Sequence, residues 1–422
     1  MKISKLTNVM ALALLAMTSC NKELFDEEAW SDMVEYQFMI DNADPYHDWC
    51  LTRNDILSVK SLDSNIYKVQ VLTANPYTSS SAEIVAETVC YGSTESMEYT
   101  IPIVMNDVYL VAYDKDGNDL GYKTINYGTM SMELSTSDLQ KPGTIKTPTY
   151  QTFTYLYVST FPLPSEHFDF NDMVLRISKK NPNIANTLVV DLTVKLDACG
   201  TKESYAAAIQ LADIRYDDIE KVEVLNDNPM DKGFPSEQRS FIESEDVLQK
   251  ARNGMAVISL FENAHWVLKK EFDELGDIPT LYYNTSHTVV EESSEIVSPV
   301  TATYRITFKE RDKALSLTFD RIDPFIMHKG SNGGTWEIHT YPHKFDGTLW
   351  ETNAAAYNNH VSWALVVPKG DFRYPVEGIS LSSYNSVLQE TFGPYENFAA
   401  WMKDHNSNQD WYQKVTRPSL VY

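Results

Sequence analysis

The stretch His167-Phe168-Asp169-Phe170-Asn171-Asp172-Met173-Val174-Leu175 places two carboxylates and an amide close together. On a strand, Asp169 and Asn171 project to one face while Phe168 and Phe170 point to the other, so a carboxylate and an amide oxygen could meet one cation. Oxygen donors suit calcium, which takes about six to eight of them, so Asp172, Glu166 or backbone carbonyls would have to complete the shell. The competing reading is a loop fastened by hydrogen bonds from these side chains to the backbone. A second group, Glu337, His339 and His343, holds the sequence's one histidine cluster. Zinc accepts such ligands. Pro342 breaks any helical spacing there and no further His or Cys lies close, so a polar strand end is the expectation. A glycoside hydrolase would need two facing carboxylates, one of them held protonated. The 59 acidic residues could hide such a pair. Yet no Gly-x-Ser-x-Gly elbow, phosphate-cradling glycine loop or His-Glu-x-x-His appears, and the sequence predicts no enzyme.

The elements that must position these groups read as strands. Ile66 to Val71 alternates, and further short strands are expected at Glu83–Cys90, Glu98–Met105, Val108–Tyr113 and Tyr122–Tyr127. That spacing predicts an immunoglobulin-like β-sandwich over residues 48–134. Asp114-Lys115-Asp116-Gly117-Asn118-Asp119 mimics half of a calcium loop, but Ile125 stands where a bidentate Glu is needed, so a hairpin turn is expected. Residues 135–149 lose the alternation and gather Ser, Thr, Pro142, Gly143 and Pro148, the composition of a linker. Beyond it, Val190, Leu192, Val194 and Leu196 share one strand face, and Tyr304-Ile306-Phe308 and Leu315-Leu317-Phe319 repeat the pattern. The fold class is therefore mainly β, with a larger jelly-roll-like sandwich over residues 150–422 and a few short helices. One helix is expected from Ser244 to Gly254, another after Pro394 carrying Phe398, Trp401 and Met402 as a packing face.

The N-terminus is the most specific signal. Lys2 and Lys5 precede an apolar run from Val9 to Met17, too short to span a bilayer, and Thr18-Ser19 lead to Cys20. This is the pattern of a lipoprotein signal peptide over residues 1–19, with Cys20 as the lipidated residue. Residues 20–47 then form an acidic tether whose start, Asn21-Lys22-Glu23-Leu24-Phe25-Asp26-Glu27-Glu28, resembles the tags that route lipoproteins to the outer face of the outer membrane. The other three cysteines, Cys50, Cys90 and Cys199, lack metal-ligand spacing; Cys50 and Cys90 could pair, but no disulfide framework is expected. A net charge of −24 opposes any nucleic-acid partner, whose phosphates it would repel.

The segment His167 to Leu175 also resembles the Asp-Tyr-Asp-Phe-Asn-Asp-Met-Val hallmark of the LruC-domain lipoproteins, with His167 replacing the first acidic residue. Asp323-Pro324-Phe325-Ile326 with Trp336-Glu337-Ile338-His339 is similar to another stretch of that family. So is the run of pieces Trp363 to Pro368, Phe372 to Glu377 and Phe398 to Trp401. Together they cover about Tyr150 to Tyr422. The resemblance implies a β-sandwich on a surface lipoprotein, often behind a smaller N-terminal β-domain, with no established catalysis.

Three functions follow in order of expectation. The first is a non-catalytic, lipid-anchored surface protein of structural, adhesive or coat character, held in the outer membrane through Cys20 and stabilised by calcium. Second comes a glycan-binding accessory lipoprotein of a nutrient-uptake system, for which 8 Trp and 25 Tyr supply stacking surface. The third is a hydrolase with a dispersed acid pair. Surface glycans or other surface proteins are the expected partners.

Overall fold

The structure, a computed structural model, describes residues 47–158, 169–185, 188–242, 246–290, 293–329, 335–340, 364–385 and 390–422. Cys20, the signal segment, nearly all of the tether, Glu166, His167, Phe168 and His343 lie outside the described residues.

The chain is mainly β. In order come β1 (Thr52–Ser61), β2 (Lys68–Leu72), β3 (Glu83–Val89), β4 (Thr94–Pro102), β5 (Asp107–Tyr113), β6 (Asp119–Asn126), β7 (Ser131–Leu134) and β8 (Thr149–Tyr150). They form two facing sheets, β4-β1-β7 and β6-β5-β2-β3-β8. Alternation drives this: on β4, Glu95, Met97, Tyr99 and Ile101 turn inward, opposite Leu57 and Val59 of β1. The strand expected at Glu98–Met105 begins and ends earlier than its sequence suggests. Beyond Pro102 the chain turns, with the Met105 amide donating to the Pro102 carbonyl at 3.0 Å. The Asp114 loop is a hairpin turn whose Asp114 Oδ1 accepts from the Asp116 and Asn118 amides at 2.9 and 2.8 Å.

The second sandwich follows with β9 (Thr152–Tyr157), β10 (Met173–Lys180), β11 (Val189–Ala198), β12 (Ala206–Arg215), β13 (Ile219–Leu225), β14 (Leu248–Lys250) and β15 (Met255–Phe261). Helix α1 (Ala264–Lys269), β16 (Tyr282–Tyr283), β17 (Ser294–Glu295), β18 (Val300–Phe308), α2 (Arg311–Leu315), β19 (Ile322–Lys329), β20 (Thr335–His339), β21 (Ala364–Val367), β22 (Ser383–Asn385), β23 (Glu390–Phe392) and α3 (Glu396–Lys403) complete it. Sheet β13-β18-β11-β10-β9-β21 faces sheet β14-β15-β12-β19-β20, and their strands pair antiparallel throughout. On β11, Val190, Leu192, Val194 and Leu196 point into one continuous core, while Asp191 on the other face makes a two-pronged pair with its cross-strand neighbour Arg305 at 2.8 and 2.9 Å.

Two local expectations are corrected. The described part of the segment read as a helix ending at Gly254 is instead the hairpin β14–β15, because Gly254 takes φ +84° and lets the Ala251 amide donate to the Met255 carbonyl at 2.9 Å. Leu315-Leu317-Phe319 is not a strand: it closes α2 and leads through a 3₁₀ turn at Phe319–Arg321. Its alternating apolar residues arise because Leu317 and Phe319 anchor that connection in the core, Phe319 stacking on Phe153 at 4.1 Å. Helix α3 does follow Pro394, and Phe398, Trp401 and Met402 are its buried face, packed with Trp411, Tyr395 and Phe372.

The chain crosses between the sandwiches twice within the described residues. Before β1, Leu51 is buried in the second core, and His47 Nε2 sits 3.0 Å from the Trp401 carbonyl of α3. After β7, the segment read as a linker lies along the first sandwich: Gln140 bridges to Tyr122, and β8 pairs parallel with β3. Only Gln151 separates β8 from β9. Charged contacts flank the joint, with Arg311 on Glu95 at 2.9 Å and Arg321 on Glu98 at 3.4 Å. Half-buried Lys179 donates to the Leu317 carbonyl at 2.6 Å; desolvation lowers its ammonium to about 8 although Asp320, Glu87 and Glu98 favour the charge.

Candidate functional site

Asp169 to Asp172 do not form a strand. Phe170 adopts φ +54°, a region that bulky side chains enter at a cost, and pairing begins only at Met173, opposite Tyr157. The physical reason is burial: Phe170 belongs to the main core, and a left-handed step carries the chain around it. Asp169, Asn171 and Asp172 are nevertheless all buried.

Three other segments close on this loop. At the end of β11, the Gly200 amide donates to the Asn171 and Asp172 carbonyls at 3.1 and 3.0 Å. From the C-terminal region, the Gly378 amide donates to Asp169 Oδ2 at 2.9 Å, and the Pro375 carbonyl accepts from Asn171 Nδ2 at 3.0 Å. Glu377, between them, is held at two points by Thr285: its amide donates to the Thr285 carbonyl at 2.8 Å, and Thr285 Oγ1 donates to Glu377 Oε2 at 3.0 Å.

A carbonyl can only accept, so the Pro375 bond fixes which end of the Asn171 amide is nitrogen. Asn171 Oδ1 is thereby left buried without a hydrogen-bond partner. It rests over Gly200, where an added Cβ would meet Oδ1 at 2.4 Å and the Thr285 methyl at 2.9 Å. Asn171 Oδ1 and the residue that holds Glu377 therefore lean on the same bare backbone position.

The electrostatics follow from this crowding. Burial raises the Asp169 carboxyl well above its ordinary range, and the negative charges of Asp172 and Glu377 add to it. Burial pushes Glu377 up to about 7 against the Thr285 bond. The Cys199 thiol is raised by burial first and then by Asp172 and Glu377, and Tyr282 feels all three carboxylates. Sequence reasoning found Asp169, Asn171 and Asp172 but missed Glu377, Gly200 and Thr285. Glu377 was visible as the end of the Phe372–Glu377 piece, but nothing in its spacing linked it to a loop so far away in the chain.

The histidine group resolves differently. His339 Nδ1 lies 2.5 Å from Asp323 Oδ2 and its Nε2 lies 3.2 Å from Glu337 Oε2, with all three side chains buried. Carboxylates accept, so both ring nitrogens carry protons. Burial opposes this charge, but Asp323 and Glu337 outweigh it and push His339 up to about 9. Asp323 Oδ1 is filled by the Thr340 amide and hydroxyl at 3.0 and 2.7 Å, and Phe325 stacks on the ring at 4.4 Å. Zinc at either nitrogen would have to displace a proton already held against a carboxylate. Among the described residues, no three His, Cys, Asp or Glu side chains stand at metal-ligand spacing by themselves. Cys50, Cys90 and Cys199 are free thiols, and Cys50 and Cys90 are not joined.

No curated protein matches this sequence. Among solved structures, a protein of Bacteroides ovatus described as a lipoprotein is similar, with 14% identity and a TM-score of 0.51 over 85% of this chain and 99% of that one. The collagen-binding domain of the Erysipelothrix rhusiopathiae surface protein RspB overlaps far more loosely, with 10% identity and a TM-score of 0.18 over 74% of this chain and 84% of that one, and carries no argument. Residues 186–412, more than half of the chain, match the model of a domain of unknown function, DUF4842. That span holds Gly200, Thr285, Glu377 and the Asp323–His339 group, and the chain belongs to the DUF4842 family.

Proposed function

We propose that this chain is a non-catalytic, lipid-anchored protein of the cell surface with a structural or adhesive role, attached to the outer membrane through Cys20. The observation that carries the reading is the double crossing between the sandwiches. Leu51 enters the second core before the first sandwich begins, and a single residue, Gln151, separates the two sheets on return. A domain fixed at both ends behaves as one stiff body with its neighbour, which suits a stalk or coat better than a moving clamp. The signal pattern ending at Cys20, the likeness to LruC-domain lipoproteins and the similar Bacteroides ovatus lipoprotein support the anchoring. Aromatic content favours packing over a glycan platform: Trp266, Trp401 and Trp411 are buried, and Trp49 lies edge-on against Trp401 at 5.9 Å.

The test is metabolic labelling with a fatty-acid analogue in cells expressing the wild type or Cys20→Ala, followed by protease treatment of intact cells. Label on the wild type alone, and digestion without lysis, are expected. A chain that stays protected until the outer membrane is opened would sink the surface assignment. Specific binding on a glycan array would move the role to carbohydrate capture, and turnover of chromogenic sugars would end the non-catalytic reading.

A further inference from the structure

We infer that the cleft where the two sandwiches meet is a binding site for a free α-amino acid with an apolar side chain, held by its carboxylate on Lys179 and Asn181 and by its ammonium on Glu98. The inference goes beyond the surface reading and can fail without it.

Both sandwiches build the cleft: β3, β4 and β8 line it from the first, and the end of β10, β11 and α2 line it from the second. Ligand sites favour such seams. Its interior has room for roughly five water-sized molecules, a volume of about 150 Å³ at about 30 Å³ each. That admits one molecule of amino-acid size and excludes an oligosaccharide or a lipid chain. The polar groups around the cleft are unequally spent. Glu87 is saturated, its Oε1 accepting from the Tyr150 hydroxyl at 2.9 Å and its Oε2 from the Gln70 amide at 2.8 Å. Lys179, by contrast, donates to one carbonyl, that of Leu317, and among the described residues no carboxylate pairs with it directly. An ammonium has three donors, so two remain. Asn181 Oδ1 takes the Asn183 amide at 3.0 Å, which leaves its Nδ2 to donate. Two such donors, two residues apart in the chain, suit a carboxylate. On the side of the first sandwich, Glu98 keeps only a long contact with Arg321, 3.4 Å from Oε2, and among the described residues its other oxygen accepts nothing. That oxygen is open to an ammonium. A ligand with a single charge would meet a like charge on one wall, whereas a zwitterion meets an opposite charge on each. Met97, Val190 and Leu315 supply apolar lining for a side chain. Desolvation already disfavours the Lys179 ammonium, and a ligand carboxylate beside it would restore the charge.

The experiment titrates the full-length protein in detergent with alanine, leucine and phenylalanine in turn by calorimetry, and follows thermal melting with each. At least one is expected to give heat and to raise the melting temperature. For the tightest of the three, the matching amine without the carboxylate and the matching acid without the ammonium should each bind roughly tenfold more weakly or worse. Glu98→Gln and Asn181→Ala should each weaken binding by roughly tenfold as well. Lys179→Met should abolish binding; if that variant does not fold, the other two decide. The proposal is overturned if none of the three amino acids gives heat or a melting shift, if the matching amine or acid binds as tightly as the amino acid, or if Glu98→Gln and Asn181→Ala both bind as the wild type does.

Discussion

Among the described residues, the second sandwich holds two acidic knots that differ in how their charge is met. In one, Asp323 and Glu337 clasp His339 from both sides, and Thr340 fills the remaining Asp323 oxygen. In the other, Asp169 and Glu377 face each other across neutral donors, and Asn171 Oδ1 accepts nothing. The first carries its own cation in the chain; the second meets its carboxylates with neutral donors alone, and burial raises both Asp169 and Glu377 above the ordinary carboxyl range. The paired group is also the more deeply hidden one: Asp323, Glu337 and His339 are all buried, whereas Glu377 is half-buried.

The largest test of that contrast removes the internal cation. His339→Gln keeps the size and some hydrogen bonding but leaves two carboxylates buried against each other. We expect a loss of about 3 to 5 kcal/mol in urea unfolding at pH 7, the usual cost of breaking a buried pair. A loss below about 1 kcal/mol would mean that the group is not held by charge, and the contrast between the knots would collapse.

Much of the frame was legible beforehand. Strands such as Val189–Ala198 and Val300–Phe308 announce themselves because apolar residues that point into the core alternate with polar ones along each. The same rule misled at Leu315–Phe319, where apolar residues alternate to pin a connection, and at Leu248–Lys250, where a polar strand carried no periodic signal. The site was half visible. Asp169, Asn171 and Asp172 stand together in sequence, whereas Glu377 and Asp323 join their knots only through tertiary contacts that no local pattern encodes. The left-handed step at Phe170 was also hidden, since a Phe gives no hint that its burial will outweigh its backbone preference.

A smaller effect sharpens the comparison through pH. His339 is pushed from 6.5 up to about 9, because Asp323 and Glu337 outweigh the penalty of burial. The folded state thus holds this proton more tightly than the unfolded state. The stabilisation is fully present below pH 6.5 and is lost as pH rises through 9, a change on the order of 3 kcal/mol. The stability gap between the wild type and His339→Gln should narrow across that window. A gap independent of pH would assign His339 to packing on Phe325 instead of charge.

The smallest effect probes the open knot without altering any charge. At Gly200 an added Cβ would lie 2.4 Å from Asn171 Oδ1 and 2.7 Å from the Asn171 carbonyl oxygen. The amide can swing aside, but the backbone oxygen cannot move without shifting the loop, so Gly200→Ala should cost about 1 to 3 kcal/mol in urea unfolding. Gly143→Ala is the control, because nothing lies within 4 Å of its Cβ position; there the change should be neutral or slightly stabilising.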